Sequence, residues 1–208
     1  MIISEIGATV CGLLQGTLVL FNKRSNWIFY IAQIIFLLMF SLTNKLYGDV
    51  LGNSIYLILG ITGWIFWKDE NKSRIGICSP KERLVYISVI VAGAVILFLL
   101  LNRTQDPLPF IDSVTTASSF VATYYMVKKK LDTWIIWFVN DICYIAQYSL
   151  LEHQAYYLII LNFIWTFMAI ASFFNWLKIM KGYTKWKKYI LPVSLIKRKQ
   201  KTFLWKKL

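Results

Sequence analysis

Apolar residues in this chain come in long runs, and polar residues gather between them in short clusters such as NKRSN, NKLYGD, KKKLD and LLEHQA. Seven runs stand out, near residues 4–21, 27–43, 47–67, 84–101, 111–127, 133–150 and 154–177. Each is close to the roughly 20 residues that a helix needs to cross a bilayer. The run from Leu84 to Leu101, LVYISVIVAGAVILFLLL, carries no charge at all. The pattern predicts an all-α membrane protein with seven transmembrane helices, joined by links too short to hold a soluble domain.

The sixth run breaks the apolar pattern in an ordered way. At roughly 100° per residue, Trp134, Trp137, Asn140, Asp141, Tyr144, Gln147 and Tyr148 share about 140° of helix arc. Ile135, Phe138, Val139, Ile142, Ile145 and Ala146 take the remainder. One face is aromatic and hydrogen-bonding, and the other suits lipid.

Sliding the chain by 107 residues sets Glu5 on Asp112, Lys23 on Lys130, Trp27 on Trp134, Ile28 on Ile135 and Gln33 on Asn140. An offset of 109 continues the match with Asn53 on Asn162, Tyr56 on Trp165 and Trp67 on Trp176. Two three-helix repeats follow, residues 2–68 and 109–177, with the helix at 84–101 between them. One intervening span gives both repeats the same orientation, so the expected architecture is 3+1+3 with parallel repeats. In transporters of that plan the substrate site lies near the midplane, between the repeats.

Composition agrees with a membrane domain over residues 1–177: the chain is 58% hydrophobic, with a mean hydropathy of +0.56. The net charge of +13 could suggest nucleic acid, but its distribution argues otherwise. Of the 23 Lys and Arg, only Lys45 and Arg103 fall on one side of the predicted membrane. The positive-inside rule then puts the N-terminus outside and the C-terminus in the cytoplasm, and no nucleic-acid partner is needed. The basic segment 178–208 reads as a cytoplasmic tail, either lying on anionic membrane lipids or partly disordered. The opening MIISEIGATV has Glu5 in place of a basic n-region, so no cleavable signal peptide is expected.

His153 is the only histidine, and Cys11, Cys78 and Cys143 form no CxxC pair. A metal site, a cofactor site and a Ser-His triad are therefore not expected, and neither is an enzyme. A retinal protein would need a Lys in the last helix for its Schiff base, and residues 154–177 have none. Links this short leave a seven-span receptor little surface for a cytoplasmic partner. Carriers and channels share polar linings, and saturable uptake is the observation that separates them.

The candidate binding residues follow from the polar positions within spans. Asp141 sits mid-span, where an acid costs at least ~2.5–3.5 kcal/mol on insertion scales and usually faces a cavity or partner. Trp134 starts its span and fits an interfacial belt, whereas Trp137 lies a turn deeper on the Asp141 face. A flat cationic heterocycle would suit indole and carboxylate together. Asn140, Gln147 and Asn162, with the repeat mates Gln33 and Asn53, offer amides that could orient a ligand or hydrogen-bond between helices. The hydroxyl-rich stretch SVTTASSF, from Ser113 to Phe120, is expected to serve close helix packing.

Trp134, Trp137 and Asp141 form WxxWxxxD, which resembles the WxxWxxxN/D signature of the PnuC nicotinamide riboside transporters. The 3+1+3 plan is similar to that family and to the related SWEET sugar transporters, and the likeness runs from about residue 2 to 177. The resemblance implies a multi-pass protein of a bacterial plasma membrane. Its activity would be uptake of nicotinamide riboside, an NAD precursor, by facilitated diffusion, with intracellular phosphorylation trapping the product. Carried over residue by residue, it assigns substrate contact to Trp134, Trp137 and Asp141, and it implies a homotrimer. Relatives of the family carry other vitamins, including thiamine, so the sequence leaves open thiamine and, through SWEET, sugars.

Overall fold

The computed structural model describes residues 2–43, 47–68, 74–104, 106, 108–150 and 159–182. These form α1 (Ile2–Leu20), α2 (Asn26–Thr43), α3 (Tyr47–Phe66), α4 (Pro80–Leu101), α5 (Pro109–Val127) and α6 (Thr133–Leu150). A further helix, α7, spans Ile159–Gly182. The described residues thus hold seven helices. Lys45, His153, the start of the seventh predicted span and tail residues 183–208 lie outside the described set.

Local chemistry explains where several helices begin and end. Ser79 caps α4: its hydroxyl accepts from the Glu82 N–H, the Glu82 carboxylate accepts from the Ser79 N–H, and Pro80 follows. That capping box starts the helix four residues before the apolar run. Pro109 opens α5, where a missing N–H costs nothing. α1 and α5 end in the same Schellman turn, with Asn22 (φ 55°) and Lys129 (φ 50°) in the left-handed region. Lys23 N–H reaches Leu18 O at 3.0 Å in the first turn, and Lys130 N–H reaches Tyr125 O at 2.9 Å in the second. The hydrogen bonds of these turns match at an offset of 107 residues.

α1 packs on α2, α2 on α3, α5 on α6, α4 on α5, and α3 on α5. The third helix of each half crosses to the first helix of the other. Trp67 Nε1 of α3's end donates to Val127 O at the end of α5 (3.0 Å), and Trp176 Nε1 of α7 donates to Val19 O near the end of α1 (2.9 Å). Asn175 adds a bond from Nδ2 to Leu20 O (2.7 Å). Between these crossings lies a row of indoles. Trp27 meets Trp67 edge-on at 5.5 Å, Trp67 meets Trp176 at 5.8 Å, and Trp176 meets Trp134 edge-on at 5.1 Å. Such pairs contribute ~0.5–1.5 kcal/mol each beyond the area they bury.

Glycine makes one of these contacts possible. A Cβ on Gly63 would lie 2.4 Å from the Trp27 indole, so only a bare backbone lets α3 approach α2 there.

At the same end of the bundle, the segment leading into α4 is fastened to the α5–α6 turn. Gly76 N–H donates to Lys129 O (3.0 Å) and Leu131 N–H to Gly76 O (2.8 Å). Asp132 is buried, accepting from the Cys78 N–H at 2.8 Å and from Arg83 Nε at 2.7 Å. Lys130 Nζ meets Glu82 at 2.8 Å. That lysine, with the Ser79 bonds, holds the Glu82 carboxyl down at about 2, while burial and the neighbouring Asp132 push the Cys78 thiol up to about 12.

The outward faces are apolar. Ile6, Ile28, Ile35, Ile58, Ile65, Val89, Ile96, Phe163 and Phe167 are all exposed, and α4 buries none of its residues. Among the described helices, α4 and α7 combine the length and apolarity to cross a membrane unaided. α5 and α6 fall short of that apolarity, because their inner faces carry the polar groups described next.

Candidate binding site on the seam between α5 and α6

On α5, Thr115, Ser118 and Ser119 recur at three- and four-residue spacing and are buried. α6 sets Asn140, Tyr144 and Gln147 against them at the same spacing. Ser118 Oγ donates to Asn140 Oδ1 (2.8 Å), and Asn140 Nδ2 donates to Ser119 Oγ (2.7 Å). Ser119 Oγ also donates to Thr115 O (2.7 Å) and lies 3.3 Å from the Tyr144 hydroxyl. Further along, Thr115 Oγ1 meets Gln147 Oε1 (3.2 Å) and Gln147 Nε2 donates to Asp112 Oδ1 (3.3 Å).

The Asn140 amide bridges the two serine hydroxyls, Oδ1 toward Ser118 and Nδ2 toward Ser119. Ser119 has one proton, and the Thr115 carbonyl takes it. Ser119 accepts from Asn140 Nδ2, while the single Ser118 proton is shared among Asn140 Oδ1 and the carbonyls of Val114 (2.6 Å) and Thr115 (3.1 Å). Asn140 therefore ties α6 to α5 at both ends of its side chain. One N–H remains.

Asp141 follows Asn140 directly and is only 2% exposed. Its carboxyl has no hydrogen bond or ion pair among the described residues. Trp137, one turn earlier, is half-buried and packs against both hydrophobic clusters of the core. Trp134 lies elsewhere: it is buried in the indole row, edge-on to Trp176, and its Nε1 finds no hydrogen-bond partner among the described residues. Asn162 is buried on α7, while Gln33 on α2 and Asn53 on α3 are half-buried.

The first half carries the same geometry in apolar form. At the 107-residue offset, Gly12 and Gln33 stand where Ser119 and Asn140 do. A Cβ on Gly12 would lie 2.8 Å from Gln33 Nε2, so the glycine vacates the room that the longer amide needs. Ala8 replaces Thr115, Cys11 replaces Ser118, Ile34 replaces Asp141 and Leu37 replaces Tyr144. The acid and its hydroxyl network belong to one half only.

The structure thus gathers Asn140 and Gln147 into one network with α5, next to Asp141, and seats Trp134 in the core. Thr115, Ser118, Ser119, Tyr144 and Asp112 belong to that network and were not among the residues expected to bind. The hydroxyl stretch was expected to pack, and it also bonds the amides of α6. The usable signal was the matched spacing of two polar faces, 115, 118 and 119 against 140, 144 and 147.

A bundle that is apolar outside, with a polar seam around a buried acid, is laid out as a helical membrane protein that receives a polar solute. The chain belongs to the family described as nicotinamide mononucleotide transporter, whose model matches residues 2–178. This is a family of transporters, not enzymes. The chain is 22% identical over 191 residues to the nicotinamide riboside transporter PnuC of Neisseria mucosa, covering 85% of this chain and 73% of that protein. It is also 22% identical over 204 residues to the PnuC of Escherichia coli, covering 83% and 84%. The fold is similar to a crystal structure of the vitamin B3 transporter PnuC, with a TM-score of 0.68, 22% identity and coverage of 84% of this chain and 80% of that one.

Proposed function

We propose that this chain carries nicotinamide riboside down its gradient across the plasma membrane of a bacterium, with intracellular phosphorylation trapping the product for NAD synthesis. The observation that carries this reading is Asp141, a buried acid at mid-helix with no bonding partner among the described residues, one turn from the Trp137 indole. A pyridinium ring answers both groups: its face stacks on indole and its charge balances the carboxylate. Trp134, Trp137 and Asp141 are the contacts that the motif supplies. Asn140, Gln147, Asn162, Gln33 and Asn53 are the amides we assign to orienting the ligand's carboxamide.

The family's description names the mononucleotide, which makes transport of the phosphorylated form a second reading. Charge argues against it. Residues 25–44, 46–67, 84–102, 104–127 and 131–177 contain no Lys or Arg, so nothing basic in the spans would meet a phosphate.

The 3+1+3 arrangement of parallel repeats, residues 2–68 and 109–177 about a linker helix, is supported by the matched Schellman turns and by the reciprocal crossings of Trp67 and Trp176. An outside N-terminus and a cytoplasmic basic tail rest on the charge distribution, and homotrimer assembly rests on the family resemblance alone. The deciding experiment uses purified protein in liposomes without a proton or sodium gradient. Saturable entry of labelled nicotinamide riboside is expected, with little competition from thiamine, the mononucleotide or a disaccharide. Preference for thiamine would rename the substrate, and preference for the disaccharide would end the cation-stacking argument.

A further inference from the structure

The two halves of the chain meet at one end across a pair of tryptophans. Trp67 of the first half and Trp176 of the second have ring centres 5.8 Å apart, and both are buried. Each is fastened to the other half: Trp67 Nε1 donates to Val127 O and Trp176 Nε1 to Val19 O, and Lys129 Nζ stands 4.1 Å from the Trp67 ring centre. These fastenings run between the halves, whereas α1 with α2, α2 with α3 and α5 with α6 pack inside them. The charge distribution puts this end in the cytoplasm. Trp134 belongs to the same row and precedes Asp141 by seven residues, about 10 Å of helix, so the row lies on the cytoplasmic side of the polar seam.

The row is closely packed without being fully bonded. Its outer members, Trp27 and Trp134, are repeat mates; both are buried, and neither Nε1 has a hydrogen-bond partner among the described residues. Asn26 Oδ1, beside Trp27 in the chain, and Ser172 Oγ, one turn before Trp176, are unpaired in the same way. A joint made only for strength would satisfy such groups, since each unpaired one weakens it. Parting the halves here breaks the two crossing indole bonds and opens the unpaired groups to water. That gain offsets part of the loss, as an element with two discrete arrangements requires.

We infer that the Trp67–Trp176 pair is the closed inner gate of the carrier: the halves part there to release solute to the cytoplasm, and the pair re-forms once the solute has gone. This rests on the transport reading above and on the orientation proposed with it.

The test uses the full chain in liposomes with cysteine at two exposed positions beside the pair, Lys68→Cys and Lys178→Cys, bridged by reducible thiol linkers of graded length. The shortest linker that forms should stop uptake of labelled nicotinamide riboside, and reductant should restore it. Calorimetry in detergent should find riboside affinity in the bridged protein within about twofold of the unbridged one. Each single variant, treated alike, controls for the native cysteines. Uptake at the unbridged rate would overturn the gate, because a static joint can be bridged without consequence. Loss of binding together with uptake would overturn it too, since the bridge would then act on the site itself. Spin labels at the same two positions give a second reading that needs no linker. One short separation should dominate, and adding Trp67→Phe, which keeps a ring but loses the bond to Val127, should raise the share of a longer one about tenfold. An unchanged distribution would also overturn the gate. Absence of riboside uptake by the unsubstituted chain would instead overturn the transport reading, and the gate with it.

Discussion

Replacing Asp141 by Leu should make the protein more stable and unable to bind its substrate. Asp141 is 2% exposed and its carboxyl has no bonding partner among the described residues, so folding removes most of its water without a hydrogen bond in return. An unsatisfied buried polar group costs ~1–3 kcal/mol, and Leu fills a similar volume without that cost. For a chain of this size each kcal/mol moves the midpoint by about 2–4 °C, so Asp141→Leu should melt several degrees higher in detergent. Binding should move the other way. A hydrogen bond to a charged group is worth ~1.5–3 kcal/mol, which predicts roughly a 10- to 150-fold loss of affinity for nicotinamide riboside. Asp141→Asn keeps the oxygen acceptor and should fall between, as an N/D motif position implies. Differential scanning fluorimetry and calorimetry on the same preparations read both quantities. A lower melting temperature for Asp141→Leu would mean that the acid holds helices together, and unchanged affinity would mean that it never meets the ligand. Either result refutes the reasoning.

Three further outcomes follow from the packing. Trp67→Phe and Trp176→Phe each remove one buried indole bond and one edge contact from the same row, so they should lower stability by similar amounts, ~1–2 kcal/mol, in parallel melts; a large difference would show that the two crossings are not equivalent. Asp132→Ala leaves the buried Cys78 N–H unpaired and releases Arg83, costing ~1–3 kcal/mol, and rapid maleimide labelling of Cys78, now protected, should report the opening. Glu82 has its carboxyl lowered from 4.5 to about 2, so its stabilisation is fully present above about 4.5 and is lost as pH falls through about 2; melts between those pH values should show a slope that Glu82→Gln flattens.

The polar seam shows why the site was only partly legible. Asp141 and Trp137 stood out because an acid and an indole on one face of an apolar span are costly or conspicuous wherever the helix packs. Ser118 and Ser119 did not, since a small hydroxyl in a membrane helix can satisfy itself on its own backbone four residues back, and both do. Their second role exists only because α6 lies against them. Trp134 shows the same limit from the other side. Its sequence position fitted both belt and ligand contact, and its edge-on contact with Trp176 comes from a helix more than forty residues away.

The seven helices were determined by the sequence itself, because in a bilayer every backbone group must be satisfied within its own segment and a long apolar run has no other solution. The capping box at Ser79 is local in the same sense. Tertiary structure alone decided which helices touch: that α3 crosses to α5 and α7 to α1, that four tryptophans form one row, and that the Tyr56 ring meets Phe120. These contacts depend on the relative placement of surfaces far apart in the chain. Many helices of similar hydropathy could have met there, and side-chain fit, such as Gly63 yielding to Trp27 and Gly12 to Gln33, selects among them.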